Sequence, residues 1–163
     1  MPDRFLDNRG YVLIESIIAI TIVTVGLLGI FSLLSRSLSL NRVVADRFVA
    51  AYLAAEGIEI VKSIVDNDIL AGRPWNEGVA PGAYQADYRD TALRPDAGDA
   101  LRLDPVSGAY GYAEPSETPF RRTITTGISP DGEELTVSSR VTWSSRGGGI
   151  FSIHLEEHLF HWR

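Results

Sequence analysis

The 163-residue chain contains no cysteine, so it forms no disulfide and offers no thiolate to a metal or a substrate. Composition is therefore silent on redox compartment. Between Val12 and Leu34 there is no Lys, Arg or Asp. This run of 23 residues exceeds the roughly 20 that a helix needs to cross a hydrocarbon core, so the segment belongs in a membrane. Proline is absent from Tyr11 to Asp66, which leaves a helix there without an interruption. No glycine-rich phosphate loop occurs, and no Asp-x-Asp-x-Asp-Gly run of the calcium-loop type. From Arg36 onward there are 13 Lys plus Arg against 18 Asp plus Glu. That mildly acidic balance argues against a nucleic-acid-binding surface.

What is present is unevenly distributed. Residues 1–10, "MPDRFLDNRG", are short and polar and end in glycine, and the apolar run follows at once. An ordinary secretory signal has the opposite order, a short apolar region before a small-residue cleavage site. Arg4 and Arg9 precede the run and a long polar region follows it, which points to export of the downstream part. Beyond the run the pattern stays helical. Ala45, Val49, Leu53, Gly57, Ile60 and Ile64 recur at spacings of three or four, with Arg47, Glu59, Lys62 and Asp66 largely elsewhere. One helix from Tyr11 to about Asp66 would be roughly 80 Å long, more than a bilayer's thickness, so its second half should pack on the C-terminal half.

Asp66 to Gln85 is rich in Gly, Pro, Asn and Asp and ends the helix, with Pro74 making continuation costly. Short strands are expected near Ala83–Tyr88 and Ala100–Leu103, before a turn-rich stretch from Asp104 to Pro119. In "EELTVSSRVTWSS" the residues Leu135, Val137, Val141 and Trp143 alternate with Thr136, Ser138, Arg140 and Thr142, as in a half-buried strand. "FRRTITTG" and "IFSIHLEEHLF" read similarly and are joined through "SPDGE" and "SRGGG". An antiparallel meander of three strands follows, one face of it on the outer half of the helix. Gly57 costs an exposed helix about 1 kcal/mol relative to alanine, so close packing of the sheet over it is expected.

The order of leader, glycine, hydrophobic helix with an early glutamate, and C-terminal sheet resembles the type IV pilins and pseudopilins, most closely a minor pilin. The motif that carries the resemblance is "G-YVLIE": Gly10 at the cleavage position, Tyr11 where the family usually has phenylalanine, and Glu15 as the fifth residue of the mature chain. The resemblance is most specific from Arg9 to about Leu34, extends along "AAYLAAEGIEIVKSIVD", and beyond that is architectural. Val12 stands where members often have threonine. Gly26 and Gly29 lie in a segment that in the family often carries a helix-kinking proline.

The resemblance implies an α+β fold: a leader at 1–10, a membrane or filament-core helix at 11–35, its amphipathic continuation at 36–66, and loops with an antiparallel sheet at 67–163. It implies no catalysis and no cofactor. It also implies cutting after Gly10 by a prepilin peptidase, N-methylation of Tyr11, and filament assembly through Glu15. The partners would be that peptidase, other pilin or pseudopilin subunits, the inner-membrane assembly machinery and, before assembly, membrane lipid, with no nucleic acid. The chain would span the inner membrane once, its C-terminal domain outside the cytoplasm, and then enter an extracellular or periplasmic filament.

The chemistry of Glu15 fits that role. Cleavage would give Tyr11 a free α-amino group of pKa about 7.7–8, largely cationic near neutral pH. An unpaired carboxylate at low dielectric costs a few kcal/mol, and the N-terminus of a neighbouring subunit would relieve it. The plainer alternative is a Glu15 that stays wet in the first turn of its own helix, favoured by the dipole by roughly 0.3–1 kcal/mol.

Two rival constellations remain. "HLEEH", His154 to His158, matches the H-x-x-E-H pattern of some zinc peptidases and would suit a membrane-anchored hydrolase. That chemistry needs a helix, whereas the strand-like alternation would separate the imidazoles by roughly 13 Å. Asp87, Asp90, Asp96, Asp99 and Asp104 form an acidic stretch that reads either as a calcium loop or as a solvated one. A membrane-anchored binding module that never polymerises is a further alternative to the filament subunit.

Overall fold

A computed structural model of the chain describes residues 9–145 and 148–161. One helix, α1 (Arg9–Leu70), is followed by β1 (Gly82–Gln85), β2 (Arg94–Pro95), β3 (Ala100–Leu103), β4 (Tyr110–Gly111), β5 (Ser116–Ile128), β6 (Glu134–Ser144) and β7 (Ile150–Phe160). The fold is α+β, with helix packed on an antiparallel sheet. The chain divides after Val44 into two compact units.

The first unit holds the apolar part of α1. By length and composition the helix can cross a membrane, and none of its most apolar stretch is buried. Ser16, Thr21 and Thr24 each donate their hydroxyl to the carbonyl four residues earlier, at 2.7–2.8 Å. Their polar groups are thereby satisfied within the helix, as a low-dielectric surrounding requires. The helix continues through Gly26 and Gly29, and neither glycine has a neighbouring group within 4 Å of where a Cβ would lie.

In the second unit, the Ala45–Leu70 part of α1 lies on the sheet. Ala50, Leu53, Ala54, Ile58, Ile60, Val61, Ile64 and Val65 are buried. The buried stripe thus begins at Ala50; Ala45, expected to open it, is exposed. The helix ends at Leu70 rather than at the expected Asp66. The extension has a local cause. Gly72, at φ +70°, closes the last turn, with its N–H on Ile69 O at 3.0 Å and the N–H of Arg73 on Asp68 O at 2.9 Å. The Asp68 carboxylate, itself buried, accepts from the Gly78 N–H at 2.8 Å and pairs with Arg73, whose guanidinium holds that carboxyl below the usual carboxylate range.

The predicted meander is present as β5, β6 and β7, all antiparallel. It is part of a larger sheet. One edge of β5 pairs with β6, and the other takes β3 along Ser116–Arg121 and β1 along Ile124–Thr126. β2 and β4 extend those two short strands outward. β5 reaches back to Ser116, so the end of the stretch expected to be turns is strand. Period-two alternation explains the facing: Leu135, Val137, Ser139, Val141 and Trp143 of β6 and Phe120, Arg122, Ile124 and Thr126 of β5 turn inward.

Two apolar clusters form the core. One contains Ile58, Val61, Ile64, Trp75, Val79, Ile124, Leu135 and Val137, and the other Ala50, Leu53, Ala54, Leu101, Phe120, Val141 and Trp143. Each fully buried large aliphatic side chain contributes about 1.5–3 kcal/mol. Between the clusters, in all three elements, sits a residue that is not a hydrophobe: Gly57 on α1, Arg122 on β5 and Ser139 on β6. A Cβ on Gly57 would collide with Ser139 Oγ and lie 3.2 Å from Ser139 Cβ and 3.0 Å from Arg122 Cδ. The close packing expected at Gly57 is therefore there. Gly57→Ala would gain about 1 kcal/mol of helix propensity but incur an overpacking cost of about 1–3 kcal/mol. We expect a net loss of stability in denaturant titration of the detergent-solubilised chain. Ser139→Gly in the same chain should recover part of it.

Candidate functional site

The sequence singles out Gly10, Tyr11 and Glu15, and all three lie on the first turns of α1. Among the described residues the helix already includes Arg9 and Gly10, ahead of the expected Tyr11, so the Gly10–Tyr11 peptide bond is helical. Gly10 has open space around it, Tyr11 is 74% exposed, and Glu15 is exposed. Glu15 has no hydrogen bond or ion pair with any described residue. Around it Val12, Leu13, Ile14, Ile17 and Ile18 present their side chains outward. The result is one carboxylate in a largely apolar surface that carries no other charge from Val12 to Leu34. Such a surface has two stable settings, lipid or other apolar helices, and in both the carboxylate favours a nearby cation. Of the leader expected at 1–10, residues 1–8 lie outside the described residues.

The histidine motif falls on β7. His154 and His158 point to the solvent side and engage different partners. His154 Nε2 is 2.5 Å from Ser138 Oγ, while His158 Nδ1 contacts Glu134, and His158 Nε2 is 3.4 Å from Glu156 Oε1. The hydrogen bond with Glu134 raises the pKa of His158 above the usual imidazole value. The helical geometry on which H-x-x-E-H chemistry relies is not formed, and no group of three or more candidate metal-binding side chains converges among the described residues.

The acidic stretch is equally dispersed. Asp87 and Asp90 hold one turn through the N–H groups of Arg89 and Asp87, Asp96 binds the Gly98 N–H and the Thr123 hydroxyl, and Asp104 accepts from the Val106 N–H and the Ser107 hydroxyl. Asp99 accepts from Gln85 at 3.1 Å. Most of these carboxylates satisfy the backbone of their own turns.

The residue that sequence reasoning missed is Arg122. Its side chain is wholly buried, and it donates to Leu53 O of α1 at 2.9 Å and to Ala86 O after β1 at 2.5 Å. Glu56 Oε2 lies 3.5 Å away. Burial raises the pKa of Glu56 despite the opposing pull of Arg122. One guanidinium thus ties helix, sheet and loop together. The signal was available: in "FRRTITT" the alternation that turns Phe120 and Ile124 inward turns Arg122 inward with them.

Comparisons with protein families, with curated proteins and with solved structures gave no match.

Proposed function

We propose that this chain is a structural subunit, a minor pilin or pseudopilin, of a type IV pilus or a related type II secretion-like filament. The observation that carries the reading is the contrast along α1. Its first part exposes an apolar surface with a single carboxylate, and its Ala45–Leu70 part buries one face under an antiparallel sheet. Combined with "G-YVLIE", that contrast supports a precursor held in the inner membrane and cut after Gly10 by a prepilin peptidase. The mature chain, N-methylated at Tyr11, would leave the membrane through the assembly machinery and exchange lipid for the apolar helices of other subunits. Dispersion and close packing favour that bundle. Glu15 of a resident subunit would attract the Tyr11 ammonium of the incoming one and set its axial register.

Processing at this bond calls for a small residue at position 10. Gly10→Val should leave the precursor inserted in the membrane but uncut, with loss of the mature form on immunoblots of cells that contain the peptidase. Efficient maturation of that variant would count against cleavage here.

A further inference from the structure

β7 is an outer strand of the sheet, paired only with β6 among the described residues. It is eleven residues long and, unlike the two-residue β2 and β4 on the opposite side, offers a continuous edge. The register shows which groups are free. The His161 N–H donates to Glu133 O at 2.9 Å, and β6 and β7 pair in the order Glu134↔Phe160 to Ser144↔Ile150. Odd-numbered residues of β7 therefore bond to β6, and Ser152, His154, Glu156 and His158 direct both N–H and C=O away from the sheet. β7 contains no Pro, Lys or bulge, three of the usual guards of an exposed edge, and its one outward carboxylate is Glu156. Its inward charge, Glu157, is neutralised by Lys62 at 3.1 Å.

Beside this edge lies a groove of about 750 Å³ between the end of α1 and the end of β7. Val65, Ile69, Trp75 and Leu159 supply its apolar lining, and Lys62 and Arg73 stand among its charged groups. A free edge next to a helix, with a side-chain groove between them, is the geometry by which strand-adding domains capture extended peptides.

We propose that β7 and this groove bind an extended segment of a different polypeptide, added antiparallel to β7 as an eighth strand. Its residues opposite Leu155 and Leu159 would be apolar and face the helix side. On the solvent side it would carry Lys or Arg opposite Glu156 and acidic residues opposite His154 and His158. A second copy pairing β7 on β7 could also match His154 with Glu156. In that register Ser152 rather than an acid would stand opposite His158, so the outward charges of β7 are met less fully by a second copy than by a different polypeptide. The edge and the groove do not rest on the filament-subunit reading.

The test uses the full chain in detergent micelles and a fluorescent peptide, Thr-Val-Glu-Thr-Lys-Ile-Glu-Val, with its termini blocked. Anisotropy should show saturable binding. N-methylation of its Glu, Lys and Glu nitrogens, which face β7 in this register, should weaken binding by about tenfold or more. His158→Pro, which removes an outward N–H and no bond to β6, should do the same, and His158→Ala should stay within about twofold of wild type. The N-methylated peptide needs no altered protein, so a folding defect in the proline variant leaves the test intact. No binding of the parent peptide, or equal binding of its N-methylated form, overturns the proposal. Dimerisation of the wild-type chain that His158→Pro abolishes, without peptide binding, would overturn it too and assign the edge to a second copy. None of these readouts depends on cleavage after Gly10.

Discussion

Arg122→Ala is expected to cost the second unit about 3–5 kcal/mol, the range for removing one partner from a buried ionic and hydrogen-bonded arrangement. Against a typical domain stability of about 5–15 kcal/mol, that is enough to leave a large unfolded fraction at 37 °C. The loss has separable parts. Ala86 O and Leu53 O lose donors at 2.5 and 2.9 Å, partly buried Glu56 loses its counter-charge, and a cavity opens between the two apolar clusters. Arg122→Met would refill most of the volume without restoring a donor, so its stability should fall between alanine and wild type. Denaturant titration followed by tryptophan fluorescence would measure both, because Trp75 and Trp143 are buried in different clusters. An Arg122→Ala chain as stable as wild type would mean that the guanidinium does not hold helix, sheet and loop together.

The second large effect is on assembly. Glu15→Ala removes a carboxylate that no described residue engages, so membrane insertion, cleavage and folding of the sheet should be unchanged. Incorporation into filaments should fall about a hundredfold. An unpaired charge at low dielectric costs roughly 2.5–3.5 kcal/mol on insertion scales, and each 1.4 kcal/mol is a factor of about ten. In the variant the unpaired charge is the ammonium of the incoming Tyr11. Glu15→Gln keeps the shape and should fail as well, whereas Glu15→Asp should retain part of the function. Immunoblots of sheared filaments against the membrane fraction give the ratio directly. Wild-type incorporation of Glu15→Ala would leave Glu15 as a residue that only favours its own helix dipole.

Legibility in the sequence followed physical locality. Alternation in β6 was readable because each of Leu135, Val137, Val141 and Trp143 is itself apolar. Gly57 was readable because a glycine inside a long helix has a cost that packing must offset. Arg122 obeys the same alternation but carries a charge, and a charge reads as surface until its acceptors, supplied from 69 and 36 positions away, are known. The helix end was misplaced for a similar reason: Asp68 looks like a solvated breaker, yet Arg73 and Gly78 fold back to bind it inside. β2 and β4 are two residues long, too short for periodicity to separate them from turns, whereas β1 and β3 lie where short strands were expected, near Ala83–Tyr88 and at Ala100–Leu103. For the candidate site the positions were legible as a linear motif, while the cation proposed for Glu15 belongs to another molecule.

A cut between Gly10 and Tyr11 is what creates the ammonium that Glu15 is proposed to meet, so the filament reading depends on it. Intact-mass and peptide mass spectrometry of the chain recovered from outside the cytoplasm tests it most directly. The predicted result is a mature N-terminus at Tyr11 with one methyl group on its nitrogen. An exported chain still beginning at Met1 would contradict it.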